Sequence, residues 1–415
     1  MVWLAGWNRR KSILVNGSIA GIQTDYQMKL VINEGSGTDS PGIIYCSGNI
    51  KSDFSDLRFT DSGGSTELYY WIESITGTSP NQSATVWVKI SSIPTIGTTI
   101  YVYYNNPTPS DGYGTNGNNT FIFFDDFPTS SLDVTKWTAL SGGTIGYSIS
   151  GSIFTASGTI PNDSIVRGYN TISTFGLGTA FRGRINVNYT TEQSAQIGFG
   201  RYTYPSLSNC FTCVDYSGAI GNVLGYIAIS NGTAVTGASW NSDSNYHIWD
   251  LIRTSSTSHT AIISGGLLNN NLTVNVPSAN MPITLGASNF GGRTWPYTYY
   301  VDWVLIRNFV SPEPTFSTTG LEELTTPANI TATSLAITPS ETPCIEGSCT
   351  VTVDVTWTNN GGTSGTFLPN ITIDTVPISP DPYPSQELAP SANVTKTFII
   401  SGLTTGTHNI CPYPN

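Results

Sequence analysis

Acidic residues are the first place to look for chemistry in this chain, because an enzyme that cleaves a sugar polymer with retention needs two carboxylates about 5–5.5 Å apart. On a strand that spacing requires acids at i and i+2 or i+4, since alternate side chains share a face. Between residues 119 and 311 the chain carries a single glutamate, Glu192, and the adjacent Asp125 and Asp126 point to opposite faces of any strand. The three histidines, His247, His259 and His408, are scattered, which removes triads and clustered metal sites. Neither a Gly-x-Ser-x-Gly elbow nor a phosphate-cradling glycine loop is present. The expectation from these residues is a protein that is not an enzyme, with a glycoside hydrolase as the least favoured reading.

Two binding chemistries remain. Asp125 or Asp126 would approach Asp302 if the strands that carry them pair, and carboxylates with loop carbonyls suit Ca²⁺, a hard cation that prefers oxygen. The plain alternative is a sheet edge whose acids face solvent. Sugar recognition uses aromatic faces ringed by amides and carboxylates. Tyr202, Tyr204, Trp240, Trp295 and Tyr297 lie in polar surroundings that read as loops, and they are the candidate ligand-binding residues. Trp249 and Trp303 alternate within strand patterns and are expected in the core. Of the six cysteines, Cys210 and Cys213 form a lone Cys-x-x-Cys without a nearby histidine, so zinc is not expected and the two stand as disulfide candidates. Cys411 is expected to bridge Cys349 or Cys344, with Cys46 left as a buried thiol.

The elements that must position these residues are all strands. Across 415 residues only 10 % are charged, while 11 % are aromatic and glycine alone supplies 42 positions. A typical soluble domain is about 25 % charged. Few charges, many turn formers and many large aromatics describe an exterior all-β protein. The net charge of -11 argues against nucleic acid as a partner, because phosphate binding needs a surplus of Lys and Arg. No apolar run reaches the length of a membrane span. Short β-branched and aromatic runs recur between Gly, Asn, Ser, Asp and Pro. In Thr85-Val86-Trp87-Val88-Lys89-Ile90, Val86, Val88 and Ile90 share one face while Trp87 and Lys89 share the other.

This pattern divides the chain into residues 1–118, a β-sandwich; 119–311, a large jelly roll; 312–328, an extended Pro- and Thr-rich linker; and 329–415, a smaller sandwich. The last module stops soon after Cys411, and the expectation is that its final strand is absent or supplied by another chain.

Three stretches carry resemblances. Trp7-Asn8-Arg9-Arg10-Lys11, Asp56-Leu57-Arg58-Phe59-Thr60, Leu68-Tyr69-Tyr70-Trp71-Ile72-Glu73, Val86-Trp87-Val88-Lys89 and Ile100-Tyr101-Val102-Tyr103-Tyr104-Asn105-Asn106 together resemble a domain of unknown function found in archaeal and viral surface proteins. Phe124-Asp125-Asp126-Phe127, Tyr246-His247-Ile248-Trp249-Asp250-Leu251-Ile252-Arg253 and Val301-Asp302-Trp303-Val304 resemble the first, middle and last strands of a concanavalin A-like lectin domain. Val355-Thr356-Trp357-Thr358-Asn359-Asn360-Gly361 is similar to cell-adhesion-related immunoglobulin-like domains. These resemblances imply a protein of the cell or virion surface. The expected function is a non-enzymatic exterior adhesin, or a structural protein, that binds a glycan or cell-surface polymer through its middle module. The alternative is a structural subunit assembled with copies of itself by strand exchange.

Overall fold

The computed structural model describes residues 2–109, 114–161, 163, 165–187, 195–200, 210–215, 223–230, 233–241, 244–273, 276–288, 295–325, 328–342, 345–346, 349–362, 365–377, 383–389 and 392–414, those between 211 and 241 and residue 295 by backbone alone. Apart from one helical turn, Gly117–Thr120, every helix or strand among the described residues is a strand. The all-β class follows from the sequence: no apolar period of 3.6 competes with the alternation, and Gly and Asn punctuate it every few residues. The chain forms two compact units, one of residues 1–5 and 11–321, the other of residues 6–10 and 322–415.

The larger unit contains two sandwiches. In the first, a sheet ordered Ile43–Tyr45, Gln23–Asn33, Ser83–Ile93, Tyr70–Thr76 faces a second built on Arg9–Asn16, Thr98–Tyr104, Arg58–Thr60 and Glu67–Leu68. Val86, Val88 and Ile90 enter their shared core with Tyr26, Met28, Leu30 and Phe59, as the alternation requires. Thr315–Thr319 adds an edge strand by pairing with Arg9–Asn16, and Glu323–Leu324 forms a short strand of the smaller unit. Within 312–328, which the sequence reads as a linker, Thr315–Thr319 and Glu323–Leu324 are strands. The Thr and Phe residues of Thr315–Thr319 take the unpaired edge that a strand otherwise leaves open.

The second sandwich packs a seven-stranded sheet, Trp137–Ala139, Arg167–Thr171, Ile283–Ala287, Ala195–Gly200, Cys210–Asp215, Val223–Ser230 and Thr233–Asn241, on an eight-stranded one. The latter runs Tyr147–Ser150, Ile153–Ile160, Trp295–Asn308, Thr179–Val187, His247–Ser255, Ser258–Ile263, Leu268–Leu272, with Phe123–Asp125 completing it. The fourteen-residue strand Trp295–Asn308 pairs along one edge with Ile153–Ile160 over its first half and with Phe123–Asp125 over its second. The expected pairing of first and last strands is thus present, with Asp125 opposite Val304. Phe154, Phe181, Phe199, Trp249 and Tyr299 fill the core between the sheets.

In the smaller unit, Ile330–Pro339, Thr350–Asn359 and Asn393–Ser401 form one sheet, and Pro369–Ile373 pairs with Val376–Pro377 and Ile410–Pro414 in another. Trp357 is fully buried among Phe367, Phe398 and the valines of Thr350–Asn359. Cys411 sits on the strand Ile410–Pro414, opposite Thr372. It is an exposed thiol, whereas Cys349 is disulfide-bonded, so the expected Cys349–Cys411 bridge is not formed. Cys210 is likewise a thiol, buried on its strand, and does not bridge Cys213.

Candidate functional site

The outer faces of the two sandwiches in the larger unit meet, and the chemistry gathers there. Alternation sends Trp87 out of the first core, and register aligns Lys29, Trp87 and Trp71 in one row across three strands. On the facing sheet, Arg182 stands between Asp250 and Leu305, and Ala180 between Ile252 and Arg307. Trp71, Trp87, Phe121, Phe124, Trp303 and Leu305 form an apolar seam between the two faces. Trp71 meets Trp303 edge-on at 5.1 Å and Phe124 at 5.0 Å. Beside it, the buried Gln27 side chain donates to the Thr120 carbonyl and accepts from the Asn308 amide, both at 2.9 Å.

A charged network adjoins the seam. Glu73 follows Trp71 by two residues and faces outward with it, beside a β-bulge between Ile72 and Ser74. Its carboxylate accepts from the Trp87 indole at 2.6 Å and from the Arg182 Nε and Nη2 at 3.0 and 2.9 Å. Arg182 Nη1 donates to Asp250. Burial opposes the charge on Arg182, but Asp250 and Glu73 outweigh it and hold the guanidinium above its ordinary value. Burial also pushes Glu73 upward, yet Arg182, the Trp87 indole and Lys29 hold it below the usual carboxylate range. Arg307 donates to both oxygens of Glu313 at 2.6 and 3.1 Å, and the Tyr26 hydroxyl donates to the same carboxylate at 2.5 Å. Lys29, Arg182 and Arg307 lie 5.7, 5.6 and 5.3 Å from the centre of the Trp87 ring.

Over this network opens a cleft of about 580 Å³. Lys29, Arg182, Asp250, Arg307 and Glu313 supply its polar lining, while Pro41, Ile252, Ile262, Pro314 and Phe316 supply apolar walls. Lys29 is exposed, and its ammonium makes no hydrogen bond or ion pair among the described residues. Desolvation within the cleft, then the neighbouring Arg182, draw Lys29 below its ordinary value, with Glu73 and Asp250 opposing. The arrangement offers hydroxyl-binding carboxylates and an ammonium beside flat apolar surfaces.

The residues singled out in the sequence lie elsewhere. Tyr297 is buried in the second core, and its hydroxyl accepts from the Gly146 amide at 2.9 Å. Gly158 makes room for that ring: a Cβ there would stand 2.7 Å from the Tyr297 oxygen. Trp240 and Trp295 belong to the strands Thr233–Asn241 and Trp295–Asn308 and not to loops. Pro296 mimics a loop in the sequence but lies within the fourteen-residue strand Trp295–Asn308. Tyr202 and Tyr204 lie outside the described residues. Trp249 is in the core, whereas Trp303 is buried in the seam.

Two of the three expected calcium ligands, Asp125 and Asp302, are committed to the protein. Asp125 is buried and accepts from the Trp137 indole at 2.6 Å and the Phe127 amide at 3.0 Å. A bulge at Arg184–Ile185 releases Asp302, which accepts from Arg184 at 2.5 Å. Burial raises Asp126 above its ordinary value, and the charges of Asp125 and Asp302 add to the rise. No group of three or more His, Cys, Asp or Glu suited to a metal occurs among the described residues. We therefore expect the unfolding temperature to be the same in millimolar Ca²⁺ and in chelator; a gap of several degrees between the two scans would restore the calcium site.

Among the described residues no helix is long and apolar enough to cross a membrane. Residues 53–140 match DUF2341, a domain of unknown function. No curated protein matches the chain. Part of the chain is similar in fold to solved structures, among them the following three. One comes from work on endo-acting O-glycanases that human gut bacteria use to initiate mucin breakdown, with 13 % identity, TM-score 0.35, and coverage of 46 % of this chain and 99 % of that one. A prokaryotic β-1,3-1,4-glucanase from a mouse hindgut metagenome has 14 % identity, TM-score 0.33 and coverage of 45 % and 99 %. A Bacillus licheniformis β-glucanase has 13 % identity, TM-score 0.33 and coverage of 47 % and 97 %. At these values the likeness is one of fold. These three similar structures are described as glycanases and glucanases and none as an adhesin or structural subunit, and the expected non-enzymatic exterior adhesin or strand-exchanged subunit is withdrawn.

Proposed function

We propose that the body formed by residues 11–321 recognises a saccharide in the cleft between its two sandwiches. The observation that carries this reading is the lining of that cleft, in which Phe316, Pro41 and Ile262 flank Lys29, Asp250 and Glu313. Sugar rings present apolar C–H faces and a rim of hydroxyls, so they are held by flat apolar surfaces with a few convergent polar groups. Asp250 and Glu313 offer carboxylate oxygens that accept from hydroxyls, and Arg182 and Arg307 hold these side chains in place. The cleft is preformed by the seam, which removes the ordering cost of assembling it around a ligand.

The test is calorimetric titration of the intact chain with a panel of oligosaccharides. At least one is expected to bind, and Ile262→Trp, which fills the cleft from a half-buried position, is expected to abolish that binding while leaving the unfolding temperature unchanged. Undiminished binding by Ile262→Trp would place the ligand elsewhere.

A further inference from the structure

We propose that the saccharide unit seated in this cleft carries an acidic group, a carboxylate or a sulfate ester, and that the Lys29 ammonium receives it. The inference rests on the saccharide reading above and sharpens it to a class of ligand. Its basis is an accounting of the cations that meet over Trp87. Arg182 is satisfied by Glu73 and Asp250, and the two terminal nitrogens of Arg307 face Glu313. Lys29 is different, since its ammonium has no hydrogen-bond or ion-pair partner among the described residues. The Arg307 Nε, buried in the same lining, also lacks a hydrogen-bond partner. Lys29 Nζ and Arg307 Nε are thus two donors of this cleft that no acceptor meets among the described residues.

A neutral hydroxyl would bind the ammonium but leave its charge beside two guanidinium groups. An anion relieves that repulsion and forms a charge-assisted bond, roughly twice as strong as a neutral one. The lowered affinity of Lys29 for its own proton points the same way, because desolvation and Arg182 make its surroundings unfavourable to further positive charge. Lysine suits the task geometrically: a compact ammonium on a flexible stem can follow an acidic group projecting from a ring.

The experiment compares three probes on the intact chain: oligogalacturonate, the same oligomer as its methyl ester, and a sulfated galactan oligomer. Wild type is expected to bind an acidic probe at least about tenfold more tightly than the ester. Lys29→Gln should erase that preference and Lys29→Arg should retain most of it, with both variants melting as wild type because Lys29 is exposed. A preference for the uronate or for the sulfate alone identifies which acidic group is read. Equal binding of ester and acid by wild type, or an intact preference in Lys29→Gln, overturns this inference while leaving the saccharide reading in place. No binding of any probe by wild type counts against both.

Discussion

Replacing Arg182 by alanine is expected to lower the unfolding free energy of the larger unit by about 3–5 kcal/mol, the cost of stranding buried charges whose partner is gone. Glu73 and Asp250 both depend on this guanidinium, and their side chains are only 7 % and 15 % exposed. The triple variant Arg182→Met, Glu73→Gln, Asp250→Asn should recover most of the loss, because a neutral cluster of similar volume avoids the desolvation of all three charges. The pH dependence separates this account from simple packing. The folded-state value of Glu73 lies below its ordinary one, so its contribution is complete above the usual carboxylate range and fades as pH falls through the folded value. Wild type therefore loses stability on acidification that Arg182→Ala has already lost, and the gap between them should narrow. Chemical unfolding of the three proteins at neutral and acidic pH measures this; a gap independent of pH would mean that the network contributes through packing alone.

Trp303→Ala carries the second large effect. This side chain is 4 % exposed, meets Trp71 edge-on, and stands in the seam with Phe124 and Leu305. Large-to-alanine changes at such sites cost about 3–5 kcal/mol. More telling than the size is the form of the change. The two sandwiches of the larger unit each have their own core, and the seam is what couples them. Scanning calorimetry of wild type should show them unfolding in one transition, and that of Trp303→Ala in two. A single transition shifted downward would assign the coupling to Gln27 and the salt bridges instead.

Much of the fold was legible because strands write their burial into alternation. The run from Thr85 to Ile90 places three residues in the core and turns Trp87 outward, and the structure does the same. Pairing of the first and last strands of the second sandwich could be anticipated because closure of such a sandwich often requires it, and Phe123–Asp125 pairs with Trp295–Asn308. The site was another matter. Glu73 reaches Arg182 across 109 positions of sequence, from the same outward face of its strand as Trp71. No local pattern signals that coincidence, because it depends on how two finished sandwiches dock. Trp295 and Tyr297 misled for the opposite reason. Their glycine and proline neighbours carry turn chemistry, yet pairing with Ile153–Ile160 holds them in a strand. Residues 312–328 have linker composition, but an open sheet edge recruited Thr315–Thr319. Tertiary pairing overrode local preference in each case.

The most direct test of the central claim is a crystal structure of the intact chain with a bound oligosaccharide. The account predicts the sugar between Phe316 and Ile262, with an acidic group within hydrogen-bond distance of the Lys29 Nζ. A saccharide found instead on the outer face of the seven-stranded sheet, with the cleft over Trp87 holding only solvent, would contradict it.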